Sequence, residues 1–278
     1  MPELPEVETT MRGIEPHICG EILKKMVIRN RNLRWPIPKN LEKILAGEVI
    51  RTLSRRGKYI IFQLDKGSVL LHLGMSGRLR VLENAPPPAK HDHVDMYFAN
   101  GKTLRFTDPR RFGAVLFTDK NIAEHPLLAH LGPEPLTEKF DANYLFSRAK
   151  SRKLPVKSFI MDSKIVVGVG NIYAAEALFA AGIHPEKPAG KINLQEYQQL
   201  VAAIKKILQQ AIKKGGTTLK DFSQSDGKPG YFSIELQVYG KQHQPCPRCK
   251  TTLELIKIGQ RSTVFCAVCQ PVSVAAKK

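Results

Sequence analysis

Four of the chain's five cysteines fall in two close pairs, Cys246-Pro-Arg-Cys249 and Cys266-Ala-Val-Cys269. Two such knuckles joined by a hairpin supply four soft ligands to a tetrahedral ion and leave no open coordination position. The pattern predicts one structural zinc ion on Cys246, Cys249, Cys266 and Cys269, and nothing in the sequence calls for an organic cofactor. The fifth, Cys19, stands alone and reads as a buried structural thiol. Clustered metal-binding thiols suit a reducing compartment. Between the knuckles, Gly259-Gln260-Arg261 reads as the tip of the hairpin. An arginine there can clamp a phosphate, or it can simply be solvated.

At the other end, Met1 is followed by Pro2 and Glu3. A methionine before proline is normally trimmed, which leaves Pro2 as a secondary amine. An α-amino group titrates near about 7.7–8, and a helix starting here would disfavour its protonation further. Such an amine is partly neutral at physiological pH. It can attack a sugar C1′ and form an iminium intermediate, with Glu3 as the adjacent acid or base. An ordinary trimmed terminus accounts for the same residues, so the assignment depends on what the rest of the chain supplies.

The balance of 43 Lys+Arg against 25 Asp+Glu gives a net charge of +18, spread along the chain. A charge that lopsided favours a polyanionic partner. A membrane partner is not expected. No apolar run approaches the roughly 18 residues of a spanning helix, and the acidic N-terminus lacks a signal-peptide pattern. Nucleic acid in the cytoplasm is the expected setting.

These groups need a scaffold. Leu4, Val7, Met11 and Ile14 fall at helical spacing and predict a helix over 3–18, with Glu3, Glu6 and Glu8 at its positive end. From about 21 to 120 short strands alternate with turns. Asp65-Lys66-Gly67 and Asn100-Gly101 are hairpin signals, which predicts a β-sandwich or barrel. Prolines 126, 133, 135 and 155 punctuate the next stretch. Beyond it the pattern turns helical. Asn171 is expected to cap one helix, and Asn193 with Glu196 to form the capping box of another. Gly168-Val-Gly-Asn171 sits where a glycine turn can present amides to a phosphate. Met75 and Phe112 lie beside turns, where apolar side chains can wedge into a base stack or, more simply, join the core.

Taken together, Pro2–Glu8, Arg55–Tyr59, His72–Gly77, Lys90–Val94, Thr107–Gly113, Leu131–Pro135, Met161–Asn171, Gly215–Gly230 and the cysteine finger resemble formamidopyrimidine-DNA glycosylases over nearly the whole chain. The resemblance implies an α+β multidomain fold: an N-terminal β-sandwich opened by a helix (1–132), a helix–two-turns–helix domain (133–240) and a C-terminal zinc-finger hairpin (241–271). It implies that Pro2 is the nucleophile and Glu3 the acid. Lys58 would contact phosphate and aid β-elimination, and Arg261 would complete δ-elimination. Met75, Arg110 and Phe112 would fill the gap left by a flipped nucleotide, with Arg110 facing the orphaned cytosine. His91, Arg110, Arg152 and Asn171 would contact DNA, Arg152 standing where relatives often carry lysine. Thr217, Thr218, Leu219, Lys220, Asp221, Phe222, Ser223 and Gln224 would form the loop over the extruded base. The expected partner is damaged double-stranded DNA, and the expected state a monomer, since one chain supplies every group. Two other readings remain: an endonuclease VIII-type glycosylase for oxidised pyrimidines, and a non-catalytic zinc-finger DNA-binding protein.

Overall fold

Acidic residues and a proline open the first helix, α1 (Leu4–Ile18), with Glu3 at its N-cap. Glu6 accepts the Glu3 backbone N–H at 2.8 Å, satisfying a group the helix start leaves without a partner. Pro5 lies in the first turn, where its missing N–H costs nothing. Val7, Met11, Ile14 and Ile18 face the core, as their spacing predicts. The computed structural model describes residues 2–215 and 236–272.

Eight strands follow: β1 (Leu23–Ile28), β2 (Thr52–Arg56), β3 (Tyr59–Leu64), β4 (Gly67–His72), β5 (Arg78–Leu82), β6 (Asp92–Phe98), β7 (Thr103–Thr107) and β8 (Ala114–Thr118), with a short helix, α2 (Leu41–Leu45), after β1. They form two antiparallel sheets, β1-β6-β7-β5 and β2-β3-β4-β8. Leu53, Ile60, Phe62, Val69 and Leu71 from one sheet share a core with Met26, Val94, Met96, Leu104 and Phe106 from the other. Two inner faces closing on one core, with α1 packed beside them, make this a β-sandwich. The Asn100-Gly101 turn joins β6 to β7 as expected. At the other hairpin Gly67 pairs with Leu64 as the first residue of β4, so the turn is Asp65-Lys66 alone. Glycine is required at 67, where φ is +148° and a Cβ would lie 2.3 Å from the Thr118 carbonyl oxygen of the adjacent strand.

The outer face of the first sheet holds buried charge. Asp95 and Arg105 oppose each other across β6 and β7. The guanidinium grips the carboxylate twice, Nε to Oδ1 at 2.8 Å and Nη2 to Oδ2 at 2.8 Å, and Arg29 Nη2 adds a third contact at 2.6 Å. Burial opposes ionisation of Asp95, but these hydrogen bonds and charges outweigh it and hold the carboxyl below its ordinary range.

The chain divides into two compact units near residue 130, the second comprising residues 131–211 and those from 234 onward. The second unit contains α3 (Ala142–Ala149), α4 (Val156–Met161), α5 (Asn171–Ala180), all but the last two residues of α6 (Leu194–Lys213), β9 (Glu254–Ile258) and β10 (Arg261–Phe265). Helix α4, the turns over 162–170 and α5 form the expected helix–two-turns–helix, and β9 with β10 the finger hairpin. The Asn193–Glu196 capping box is present, with both bonds at 2.9 Å. Tyr197, Leu200, Val201, Ile204 and Leu208 are buried along α6, while Ile207 and Ile212 are half-buried at the rim of that stripe. One expectation is corrected. Gly170, not Asn171, is the N-cap of α5; Asn171 is its first residue, and its side chain is used elsewhere. Among the described residues no helix is long and apolar enough to cross a membrane.

Candidate functional site

Pro2 is buried directly ahead of Glu3, which is itself buried at the N-cap of α1. One turn further on, Glu8 accepts from Arg12 Nε and from Arg55 Nε, each at 2.7 Å. Burial works against the charged carboxylate, but the hydrogen bonds and charges of Arg55 and Arg12 prevail and lower its pKa. Arg55 also donates from Nη1 to the Gly57 carbonyl at 2.9 Å. Gly57 and half-buried Lys58 form the tight turn between β2 and β3. A single guanidinium thus ties α1 to the turn that carries Lys58.

Beside that turn, His72 at the end of β4 packs on Tyr59 with ring centroids 4.8 Å apart. Its Nδ1 accepts the Gly74 N–H at 2.9 Å, which leaves the ring proton on Nε2 as a donor. Burial, then the charges of Lys58 and Arg34, push the imidazole down to about 4, so the ring is neutral at pH 7. Gly74 has φ +64°, and a Cβ there would sit 2.4 Å from the Phe112 carbonyl carbon. The Met75 turn and the Phe112 turn therefore meet backbone to backbone. Neither apolar side chain belongs to the core: Phe112 is 42% exposed and Met75 half-buried. Arg110 lies over the Phe112 ring at 4.9 Å. Met75, Arg110 and Phe112 line an open cavity of about 700 Å³ together with Asn32, Leu33, Arg34 and His72. His91 is half-buried just before β6, its ring 6.4 Å from that of His93.

In the second unit a fully buried lysine organises a hydrogen-bond cluster around Asn171. Lys157 Nζ donates to Asn171 Oδ1 at 2.7 Å, to Thr263 Oγ1 at 2.7 Å and to the Ser262 carbonyl at 3.3 Å. Asn171 Nδ2 donates to the same carbonyl at 3.1 Å. Asn171 is in this way bonded to the strand that Arg261 opens. The turn itself is Gly259-Gln260, with φ of +52° and +62°, the mirror-image geometry that two-residue hairpins favour. Arg261 is thus the first residue of β10 rather than part of the turn, and it is exposed. Arg152 is exposed in the link between α3 and α4.

The four cysteine Sγ atoms lie within 4.8 Å of one another, with Cys246–Cys269 at 3.8 Å and Cys249–Cys266 at 3.4 Å. A tetrahedral zinc with bonds of about 2.3 Å needs sulfurs about 3.8 Å apart, so the cluster fits one structural zinc ion. Hydrogen bonds at Thr251 pull Cys249 down to about 6, whereas burial pushes Cys266 and Cys269 up. The finger is fastened to α5 and the residues after it: Arg248 donates to the Ala180 carbonyl at 3.1 Å and lies over Phe179, and Gln270 Nε2 donates to the Ile183 carbonyl at 2.9 Å.

Three family models match in the same order: the formamidopyrimidine-DNA glycosylase N-terminal domain over residues 1–115, the formamidopyrimidine-DNA glycosylase H2TH domain over 131–223, and a zinc finger found in FPG and IleRS over 244–272. The formamidopyrimidine-DNA glycosylase of Legionella pneumophila (strain Paris) is 54% identical over 272 residues, covering 98% of this chain and 99% of the relative. The chain belongs to the formamidopyrimidine-DNA glycosylase family. Solved members of that family agree. The Lactococcus lactis Fpg in complex with abasic-site DNA is 36% identical with a TM-score of 0.89, covering 97% of this chain and 100% of that one. MutM (Fpg) from Thermus thermophilus is 37% identical with a TM-score of 0.87, covering 97% and 98%.

The loop from Thr217 to Gln224, which the family resemblance places over an extruded base, lies outside the described residues. Within them, sequence reasoning passes over Arg55, His72 and Lys157 as individual site residues. The first two sit inside motifs that carry the resemblance, so the signal is there. Lys157, in Pro155-Val-Lys157-Ser, looks like any surface lysine until its burial is known.

Proposed function

We propose that this protein excises oxidised purines, 8-oxoguanine and formamidopyrimidines, from duplex DNA and then cleaves the strand by β,δ-elimination. The observation that carries this reading is the placement of Pro2 and Glu3 at the positive end of α1. Trimming of Met1 exposes the Pro2 amine there, and the helix dipole keeps part of it neutral. The nitrogen lone pair attacks C1′ and the bond to the base breaks, its electron pair leaving with the base, which takes up a proton. Glu3 donates a proton to the ring oxygen as the sugar opens to the iminium. Loss of a C2′ proton then expels the 3′ phosphate, and a second elimination expels the 5′ phosphate. Hydrolysis of the remaining imine frees Pro2 and leaves a one-nucleotide gap with phosphate on both ends.

Around this centre, Lys58 contacts phosphate and promotes β-elimination, and Arg261 promotes the second step. Met75, Arg110 and Phe112 fill the gap in the duplex. His91, Arg152 and Asn171 hold the backbone, which fixes position without reading sequence. Neutral His72, with its Nε2 proton, adds a phosphate donor next to Lys58. Residues 1–132 carry the nucleophile and its partners, 133–240 and the finger of 241–271 hold DNA with Arg261 reaching the chemistry from the finger, and the protein acts as a monomer on chromosomal DNA in the cytoplasm.

Borohydride trapping on a duplex with one 8-oxoguanine opposite cytosine tests the reading, with mass spectrometry of the adduct. A covalent product on Pro2 is expected. Base loss without an adduct, or an adduct on another amine, overturns the nucleophile. Better turnover of thymine glycol than of 8-oxoguanine overturns the substrate class.

A further inference from the structure

We propose that Asp108, acting with Ser76, is a positioning residue that locks Met75, Arg110 and Phe112 into one unit. The inference rests on the gap-filling role assigned to those three above. Asp108 is fully buried, and hydrogen-bond donors from both turns converge on its carboxylate. One oxygen accepts from Ser76 Oγ at 2.9 Å, the other from the Gly113 N–H at 2.7 Å. Ser76 directly follows Met75, and Gly113 directly follows Phe112. Ser76 Oγ in turn accepts the Arg110 N–H at 3.3 Å. The backbone of Asp108 extends the junction: its N–H donates to the His91 carbonyl at 3.0 Å, and its carbonyl accepts from buried His93 Nε2 at 2.8 Å.

A fully buried carboxylate is tolerable only while its donors stay in place. Moving the Met75 turn away from the Arg110–Phe112 turn would strip one oxygen of its donor, so the two turns shift together or not at all. Side chains that enter a base stack jointly need that constraint, because a misplacement of about 1 Å can cost on the order of a hundredfold in rate. Asparagine at 108 keeps the size but turns one acceptor into a donor that faces another donor.

The test uses the full-length, zinc-loaded enzyme in single-turnover excision of 8-oxoguanine opposite cytosine and opposite adenine, alongside cleavage of a preformed abasic site. Ser76→Ala and Asp108→Asn are expected to slow excision opposite cytosine about tenfold or more and to pull the opposite-base preference toward one. Abasic-site cleavage, which needs no base extruded, should change by less than about threefold. Ser76→Thr, which keeps the hydroxyl, should restore the preference. If Asp108→Asn does not fold, Ser76→Ala decides. An unchanged preference in folded Ser76→Ala overturns the proposal, as does a uniform loss across all three substrates. Arg110→Ala is measured in parallel. If it keeps the wild-type preference, the gap-filling reading falls and the positioning role falls with it.

Discussion

Lys157 Nζ lies 2.7 Å from Asn171 Oδ1 and 2.7 Å from Thr263 Oγ1, joining the first residue of α5 to the strand that Arg261 opens. A buried ammonium with its donors satisfied is tolerable, and removing it leaves those acceptors without their donor. Lys157→Met is expected to weaken binding to an abasic-analogue duplex about tenfold. The slope of log Kd against log salt should stay the same, because no phosphate contact is deleted. A fluorescence titration at several salt concentrations checks both; a slope reduced by about one would mean that Lys157 touches phosphate itself.

The zinc cluster should govern DNA affinity and the stability of the second unit together, since Arg248 and Gln270 fasten the finger to the end of α5 and the residues just after it. In structural sites metal binding is folding free energy. Cys246→Ser, or removal of zinc by a chelator, is expected to weaken DNA binding about a hundredfold and to lower the melting temperature. Zinc stoichiometry and calorimetry read the two effects, and normal affinity in a zinc-free protein would contradict the assignment.

Acid should destabilise the fold in two stages. His72 is held near 4 in the folded state, against about 6.5 when unfolded. The unfolded chain therefore binds the extra proton first, and stability falls as pH drops from about 6.5 toward 4, by up to about 3 kcal/mol. Glu8, Asp92 and Asp95 are held below their ordinary values. Their contribution is present above the unfolded carboxylate range and is lost as pH falls through their folded pKa values. Urea midpoints at pH 7, 5 and 4 should show a smaller first stage in His72→Gln than in the wild type, the remainder coming from His125 and His184, which burial also lowers.

Arg55 spans Glu8 and the Gly57 carbonyl with two faces of one guanidinium. Lysine's compact ammonium lacks the rigid fork with which arginine reaches two acceptors from separate nitrogens at these two positions. Arg55→Lys is expected to slow β-elimination at an abasic site about tenfold through a displaced Lys58, while affinity falls only by the one phosphate contact Lys58 makes. Rapid-quench cleavage assays separate the two, and an unaltered elimination rate would detach Lys58 from this support.

Much of this molecule is legible in its sequence, for identifiable reasons. The helix after Pro2, the Asn100-Gly101 hairpin, the α6 stripe and the cysteine knuckles depend on local spacing, which a sequence displays directly. Asn171 reads as a cap because a polar residue after glycine satisfies the same pattern, while its side chain is claimed by Lys157 from another helix. The partners of Arg55, Asp108 and Lys157 are set by tertiary contacts, and nothing in their neighbours announces them. Met75 and Phe112 read equally well as core, and only their exposure separates the two possibilities.

The Asp95–Arg105 pair has a consequence for how the sandwich assembles. The hairpin of β6 and β7 closes over a short, local turn and is suited to forming early. A slip of one residue in either strand would exchange its two faces, driving Arg105 or Asp95 into the layer that Val94, Met96, Leu104 and Phe106 occupy. That arrangement would maroon a charge in hydrocarbon, so the slipped pairing is strongly disfavoured. The ion pair thereby specifies the register of the sheet's two central strands.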